Sequence, residues 1–226
     1  MMDLLQNLKN ITKSIPEEVT LVAVSKTKPP EMVKELLNAG QLDFGENKVQ
    51  ELVDKQQQLP ETIRWHMIGH LQTNKVKYIA PFVYLVHGVD SLKLLRVLNK
   101  EGKKSGRVIS CLFQMHIAAE DSKFGLDQHE LEEILGSAEY SEMEHVNIRG
   151  MMGMATFTDD SEAVRKEFQN LKRIFEQVKA GYFSEKSDFS ILSMGMSNDY
   201  LLAIEEGSNM IRVGSLLFGP RDYIKK

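Results

Sequence analysis

Thr20-Leu21-Val22-Ala23-Val24-Ser25-Lys26-Thr27-Lys28-Pro29-Pro30 is the stretch on which the fold turns. Its apolar, β-branched half, Thr20 to Val24, has the composition of a buried strand. The two prolines stop it, and Glu31 to Asn38 reads as a helix. Lys26 therefore stands at the carboxyl end of the first strand of a strand-loop-helix unit. In parallel α/β folds that end is where ligands and chemistry gather. Partial desolvation in such a mouth lowers the pKa of a lysine and frees its amine to attack a carbonyl. The competing reading is a lysine whose stem lies on the apolar rim and whose ammonium reaches water.

Working outward from that unit, short apolar runs alternate with amphipathic stretches along the whole chain. Strands are expected at 20–25, 42–44, 64–68, 82–86, 108–117, 145–151, 188–192 and 209–213. Helical patterns fall at 31–38, 46–57, 73–79, 91–101, 127–137, 160–179 and 198–206, with a short one after Gly214 and an extra one over residues 1–14. Eight strands alternating with helices in 226 residues is the count of a single-domain α/β chain folded as a (β/α)8 TIM-type barrel with an extra N-terminal helix. The alternative is a doubly wound open sheet. No G-x-G-x-x-G follows any strand and no Walker loop is present, so nucleotide-binding sheets lose their main support. Residues 1–226 are read as one domain, since Gln56-Gln57-Gln58-Leu59-Pro60 is too short to act as a linker.

Composition narrows the function. A formal charge of −4 leaves no basic footprint for nucleic acid. No apolar run is long enough to span a membrane and the N-terminus carries no signal-peptide pattern, which points to a cytoplasmic protein. The single cysteine, Cys111, lies in a strand-like stretch and reads as a buried small hydrophobe. No Cys/His cluster has zinc-ligand spacing, so no metal is expected.

The strand ends carry the chemistry. After the second strand comes Phe44-Gly45-Glu46-Asn47. After the seventh comes Ser193-Met194-Gly195-Met196-Ser197-Asn198-Asp199, and after the eighth, Arg212-Val213-Gly214-Ser215. In barrels a phosphate often binds between the loops after strands seven and eight. Gly195 lets backbone approach an anion, the hydroxyls of Ser193, Ser197 and Ser215 can donate to it, and Ser197 or Asn198 is expected to cap the next helix. An ordinary capped helix after a glycine turn is the plainer reading. A strand-end lysine facing such a cup suggests pyridoxal 5'-phosphate, bound through the lysine. Arg212 alternates with the apolar Ile211 and Val213 and so points the other way, into the barrel. An arginine beside a pyridine nitrogen cannot accept its proton, which leaves the ring a weaker electron sink. The plainer alternative is a structural arginine paired with Asp199 or Glu46.

Taken together, these residues resemble the pyridoxal-phosphate homeostasis proteins, a family similar to the N-terminal barrel of alanine racemase. The matching segments are Ala23–Pro29, Phe44-Gly45-Glu46-Asn47 with Val49-Gln50-Glu51, and Trp65-His66-Met67-Ile68-Gly69-His70-Leu71-Gln72-Thr73-Asn74-Lys75. Further along come Ser122-Lys123-Phe124-Gly125-Leu126, Arg149-Gly150-Met151-Met152, Ser193–Ser197 and Arg212-Val213-Gly214. They run in family order over almost the whole chain. The resemblance implies that Lys26 is the Schiff-base lysine and that Ser193, Gly195 and Ser197, with Gly214 and Ser215, hold the phosphate. It puts Arg212 near the ring nitrogen, Asn47 near the ring hydroxyl and His66 in the mouth, on the cofactor face; a core histidine is the alternative for His66. One departure is His116, where the family pattern has asparagine; it adds a titratable group near the mouth. Glu120-Asp121-Ser122 reads as a solvated loop, Met151, Met152 and Met154 as core and barrel lining, and Lys75 and Lys77 as surface lysines.

The resemblance implies a carrier that keeps free pyridoxal phosphate low, with no catalysis of its own. Its partners are the cofactor and apo-enzymes that need it, with no nucleic acid and no membrane; a monomer is expected, a weak dimer being the alternative. An amino-acid racemase needs a base on each face of the ring. In alanine racemase the second base comes from a β-rich domain, which does not follow the eighth strand here. A cofactor-free Schiff-base aldolase would put a sugar phosphate in the same cup.

Overall fold

Eight strands, all parallel and paired in chain order, close into a barrel in the computed structural model, which describes residues 3–119 and 124–219. They are β1 Thr20–Val24, β2 Asp43–Glu46, β3 Arg64–Met67, β4 Leu85–Val89, β5 Ile109–Met115, β6 Val146–Gly153, β7 Ile191–Ser193 and β8 Met210–Val213. Closure is made by β8 against β1, where Val22 lies opposite Arg212 and Ala23 opposite Val213. The open-sheet alternative is therefore excluded.

The helices form the outer ring: α1 Leu4–Ser14, α2 Pro30–Asn38, α3 Val49–Gln58, α4 Val76–Ile79, α5 Leu92–Ser105, α6 Gln128–Gly136, α7 Ala138–Ser141, α8 Ser161–Tyr182, α9 Tyr200–Glu205 and α10 Ser215–Phe218. Helix α8 shows why they stay there. Asp160 caps its first turn, and Val164, Phe168, Leu171, Ile174, Phe175 and Val178 recur at helical spacing to bury one stripe. Helix α1 buries Leu4, Leu8 and Ile11 against α2 and α10, with Asn7 Nδ2 donating to the Leu217 carbonyl. It thus covers the β8–β1 seam. Among the described residues no helix is long and apolar enough to cross a membrane.

Strand alternation splits the core in two. The large cluster fills the space between strands and helices, while Val22, Leu85, Leu112, Met152 and Met210 form a separate one inside the barrel. The main slip between sequence and structure is β4. Residues 82–86 were the expected strand, but Phe82 and Val83 continue the helical turn, each donating to the Ile79 carbonyl at 3.1 and 2.8 Å. Pairing begins only where Tyr84 N–H donates to the Trp65 carbonyl. The strand therefore extends through His87-Gly88-Val89 and carries His87 into the interior. At β2, Glu46 belongs to the strand rather than to the helix that follows.

Candidate functional site

A cavity of about 280 Å³ opens at the carboxyl end of the barrel. Lys26, Asn47 and Ile68 line it from the ends of β1, β2 and β3. Met154 to Phe157 contribute from the end of β6, Met196 to Asp199 from the loop after β7, and Arg212, Gly214, Ser215 and Phe218 from β8 and beyond. Two amines, a guanidinium, a carboxylate and a set of hydroxyls and amides thus line the cavity together with the apolar Ile68, Met154, Met196 and Phe218.

The Lys26 turn is clamped from outside the barrel. Thr27 is the one described non-glycine residue with positive φ, +64°. Its N–H donates to Glu51 Oε1 at 2.5 Å, which holds that otherwise disfavoured backbone in place. Lys55 Nζ donates to Glu51 (2.8 Å), to Glu46 Oε1 (2.7 Å) and to the Ser25 carbonyl (2.7 Å), and Ser25 Oγ donates to the same Glu46 oxygen at 2.6 Å. Both neighbours of Lys26 are therefore tied to α3. Glu46 and Lys55 are buried beneath that helix. Burial lifts the Glu46 carboxyl above the usual carboxylate range, against the pull of Lys55. Sequence reading missed this clamp; its signal is Lys55 falling on the buried stripe of α3 with Val49 and Leu52, one turn after Glu51.

Arg212 is buried and turned into the barrel, as alternation along β8 requires. Nη1 donates to the carbonyl and to Oγ of Ser193 (2.9 and 2.7 Å), and Nη2 donates to the Gly153 carbonyl (2.9 Å). Burial pulls its pKa down to about 10, with Asp199 opposing. A pairing with Glu46 is excluded, since Glu46 lies on the other side of the strand layer with Lys55.

Three expected site residues do not line the cavity. His66, for which the mouth and the core are the two expectations, is a core histidine, fully buried, with Nε2 against Asp43 Oδ1 and Nδ1 against His87 Nε2, both at 2.9 Å. The reason is register: His66 pairs with Gly45 and Leu85, below the last residues of β2 and β4. Ser193 is also fully buried, its hydroxyl spent on Arg212 and His87. Gly195 lies behind the wall at φ +93°, where a Cβ would come within 2.6 Å of the Ala203 Cβ. It allows close packing of the loop on α9.

Ser197, Gly214 and Ser215 do line the cavity. The expected cap of α9 is not made by Ser197 or Asn198. Asp199 occupies the cap position and accepts from the Met196 N–H, while Ser197 Oγ accepts from the N–H groups of Gly214 and Leu216 at 3.3 and 3.5 Å. Ser197 therefore ties the loop after β7 to the loop after β8. Met154, read from the sequence as core and barrel lining, lines the cavity, and so do Thr156, Phe157 and Phe218, which sequence reading missed; the clue to them is their place just after β6 and β8. Lys28 lines it as well.

His116 is half-buried just beyond β5, outside the cavity lining. Phe124 stacks on His70 with centroids 4.3 Å apart. Residues 120–123, which include Ser122 and Lys123, lie outside the described residues. Met151 and Met152 are core, and Met154 lines the cavity. Cys111 is buried, and its apolar surroundings push the thiol pKa up.

Residues 2–222 match the family described as alanine racemase, N-terminal domain. The pyridoxal phosphate homeostasis protein of Aquifex aeolicus (strain VF5) is 37% identical over 205 residues, covering 90% of this chain and 87% of that protein. The protein of the same name from Escherichia coli (strain K12) is 39% identical over 215 residues, covering 93% and 89%. Among solved structures, PipY of Synechococcus elongatus PCC7942 with pyridoxal phosphate bound superposes with a TM-score of 0.86 at 32% identity, over 96% of this chain and all of that one. An alanine racemase of Clostridium difficile 630 shares the fold at 19% identity and a TM-score of 0.79, and the match spans 56% of its length. The chain belongs to the alanine racemase N-terminal domain family and, within it, to the pyridoxal phosphate homeostasis proteins.

Proposed function

We propose that this chain binds pyridoxal 5'-phosphate in the barrel mouth, covalently on Lys26, and serves intracellular homeostasis of that cofactor as a single barrel domain without a reaction of its own. The observation that carries the reading is that Lys26 and Arg212 stand on the walls of one cavity, in a chain whose relative PipY has pyridoxal phosphate bound. The donor set fits the group: an amine for the aldehyde, an apolar slot for the ring, and hydroxyls and amides of Ser197, Gly214 and Ser215 for the phosphate. When bound, the cofactor supplies an aldehyde that condenses reversibly with a primary amine and releases one water. The chain's own part is to aim that amine and exclude bulk water. Ser25 and Thr27, clamped to α3, aim Lys26. Asn47 and Arg212 line the same cavity; with the cofactor bound, Asn47 would meet the ring hydroxyl and Arg212 would face the ring nitrogen with donors only.

The names of the relatives support a homeostasis role over catalysis. The described cavity lining holds no tyrosine, histidine or cysteine; its carboxylate, Asp199, accepts from the Met196 N–H, and Lys26 and Lys28 come from one loop. Apo-enzymes that need the cofactor are the proposed recipients, and the working form is a monomer. The test is to add pyridoxal phosphate to the purified protein, reduce with borohydride and map the modified peptide. Modification is expected at Lys26, with loss of the visible absorbance band in Lys26→Ala and its retention in Lys28→Ala. An unchanged band in Lys26→Ala sinks the assignment. A D/L interconversion assay on the loaded protein is expected to stay at background, and transfer to an apo-enzyme is expected to proceed.

A further inference from the structure

Five polar side chains form a file through the barrel interior. Asp43, His66, His87, Ser193 and Arg212 come from β2, β3, β4, β7 and β8, and all five are buried. Around them pack Val22, Leu85, Leu112, Met152 and Met210. The contacts are consecutive: Asp43 Oδ1 to His66 Nε2, 2.9 Å; His66 Nδ1 to His87 Nε2, 2.9 Å; His87 Nδ1 to Ser193 Oγ, 3.3 Å; Ser193 Oγ to Arg212 Nη1, 2.7 Å. At the amino end of the barrel Asp43 Oδ2 accepts from Arg64 Nη2 at 2.6 Å, beside a polar cavity of about 210 Å³. At the other end Arg212 forms a wall of the mouth.

The two ends decide where every proton sits. Asp43, ion-paired with Arg64, is a pure acceptor, so His66 must present Nε2–H to it. His66 Nδ1 is then bare and accepts, so His87 presents its own Nε2–H. His87 Nδ1 is bare in turn and takes the Ser193 hydroxyl proton. Ser193 Oγ, its proton committed, accepts from Arg212. With both imidazoles neutral, turning any one link round sets two lone pairs or two protons face to face. Burial pulls both histidines below the ordinary imidazole range, against Asp43 in the case of His66 and with help from His66 and Arg212 in the case of His87.

We infer that Asp43, His66 and His87 are positioning residues for Arg212: they form a one-way hydrogen-bond chain that commits the Ser193 proton inward and leaves its oxygen as a fixed acceptor, which together with the Ser193 and Gly153 carbonyls holds the guanidinium in one orientation at the wall of the mouth. For the ligand this rests on the reading that Arg212 meets the ring nitrogen; the chain itself belongs to the ligand-free protein. Arg64 also predicts what Asp43→Asn does. Arg64 can only donate, so the amide oxygen turns to it and the amide NH2 faces His66. His66 Nε2 must then accept, and both imidazoles invert to the Nδ1–H tautomer. His87 now donates to Ser193 Oγ, the hydroxyl proton is released to compete for other acceptors, and Ser193 Oγ holds Arg212 less firmly, while the Ser193 and Gly153 carbonyls still accept from it.

The experiment is NMR of the ligand-free protein with 15N-histidine and 15N-arginine at pH 7. The wild type is expected to show His66 and His87 as neutral Nε2–H tautomers and separate, slowly exchanging Nη signals for Arg212. Asp43→Asn is expected to invert both histidine patterns, shift the Arg212 Nη1 signal and speed the exchange of the Arg212 Nη signals. Ser193→Ala guards against a misfolded Asp43 variant: it should shift the Arg212 Nη1 signal and speed the exchange of the Arg212 Nη signals while His66 keeps Nε2–H. On loading with pyridoxal phosphate, Asp43→Asn should shift the absorbance band while borohydride still traps the cofactor on Lys26. A charged or Nδ1–H imidazole at either position in the wild type overturns the chain. Arg212 signals that match wild type in both variants overturn the positioning role. A wild-type protein that takes up no pyridoxal phosphate sinks the cofactor reading, and the ligand-free spectra then decide the chain by themselves.

Discussion

Lys55 is buried between β2 and α3, where its ammonium serves two carboxylates and one carbonyl at once. Removing one partner of a buried ion pair costs about 3–5 kcal/mol, because the remaining charge is stranded without water. Lys55→Met should cost that much in chemical denaturation, since it leaves Glu46 buried with one carboxylate oxygen already lacking a partner. Glu46→Leu in the same protein should recover most of the loss; a double variant as unstable as the single one would show that the pair is not the source. Arg212 makes the opposite kind of test. In Arg212→Glu a carboxylate would face the carbonyls of Ser193 and Gly153, acceptor against acceptor, in a buried site. The expected outcome is a large fall in melting temperature before any ligand is added, whereas Arg212→Lys should fold and bind more weakly. A fully stable Arg212→Glu protein would mean that the side chain leaves the barrel.

At the scale of elements, the loops after β7 and β8 act as one unit because Ser197 joins them. Charge-assisted hydrogen bonds to a phosphate are each worth roughly 1.5–3 kcal/mol. Losing two should make pyridoxal bind about 10²–10⁴-fold more weakly than its phosphate. Ser197→Ala should lose only part of that difference, since the backbone donors remain. Titration of the apo-protein with both aldehydes measures it, and equal affinities would empty the cup of meaning. Neighbouring β6 and β7 meet at Gly150, φ +149°, where a Cβ would stand 1.9 Å from the Ile191 carbonyl oxygen. Gly150→Ala should therefore unseat β7 and lower stability by several kcal/mol, read by denaturation. Elements of this kind were legible because strand and helix periods differ and because prolines and glycines punctuate them. What was not legible was register. His66 and Ser193 sit on inward faces as alternation implies, but their depth below the mouth depends on how neighbouring strands pair. The slip of β4 hid His87 for the same reason: a helical turn borrowed Phe82 and Val83, and no local pattern separates that turn from a strand start.

Across the whole molecule, the fold contains two buried imidazoles that are neutral when folded and free to charge when unfolded. Their folded pKa values lie below the unfolded value near 6.5, so the unfolded chain binds more protons as pH falls. Their contribution is complete above that pH and declines below it, by up to about 1.4 kcal/mol per pH unit for each histidine. Glu46, with its raised pKa, acts with the opposite sign, as one group against two. Denaturation at pH 7.5 and 5.5 should show a loss at the lower pH, and equal stabilities would mean that the pair is already charged in the fold. Cys111, enclosed between strands and helices, has a further consequence for how this barrel can be watched. The chain has no other thiol, and that one is buried with its ionisation suppressed. The native protein is thus silent toward maleimide dyes. Phe157, on the rim and 82% exposed, offers a place for a single engineered handle. A fluorophore on Phe157→Cys would report arrival and departure at the entrance against a dark background, one molecule at a time.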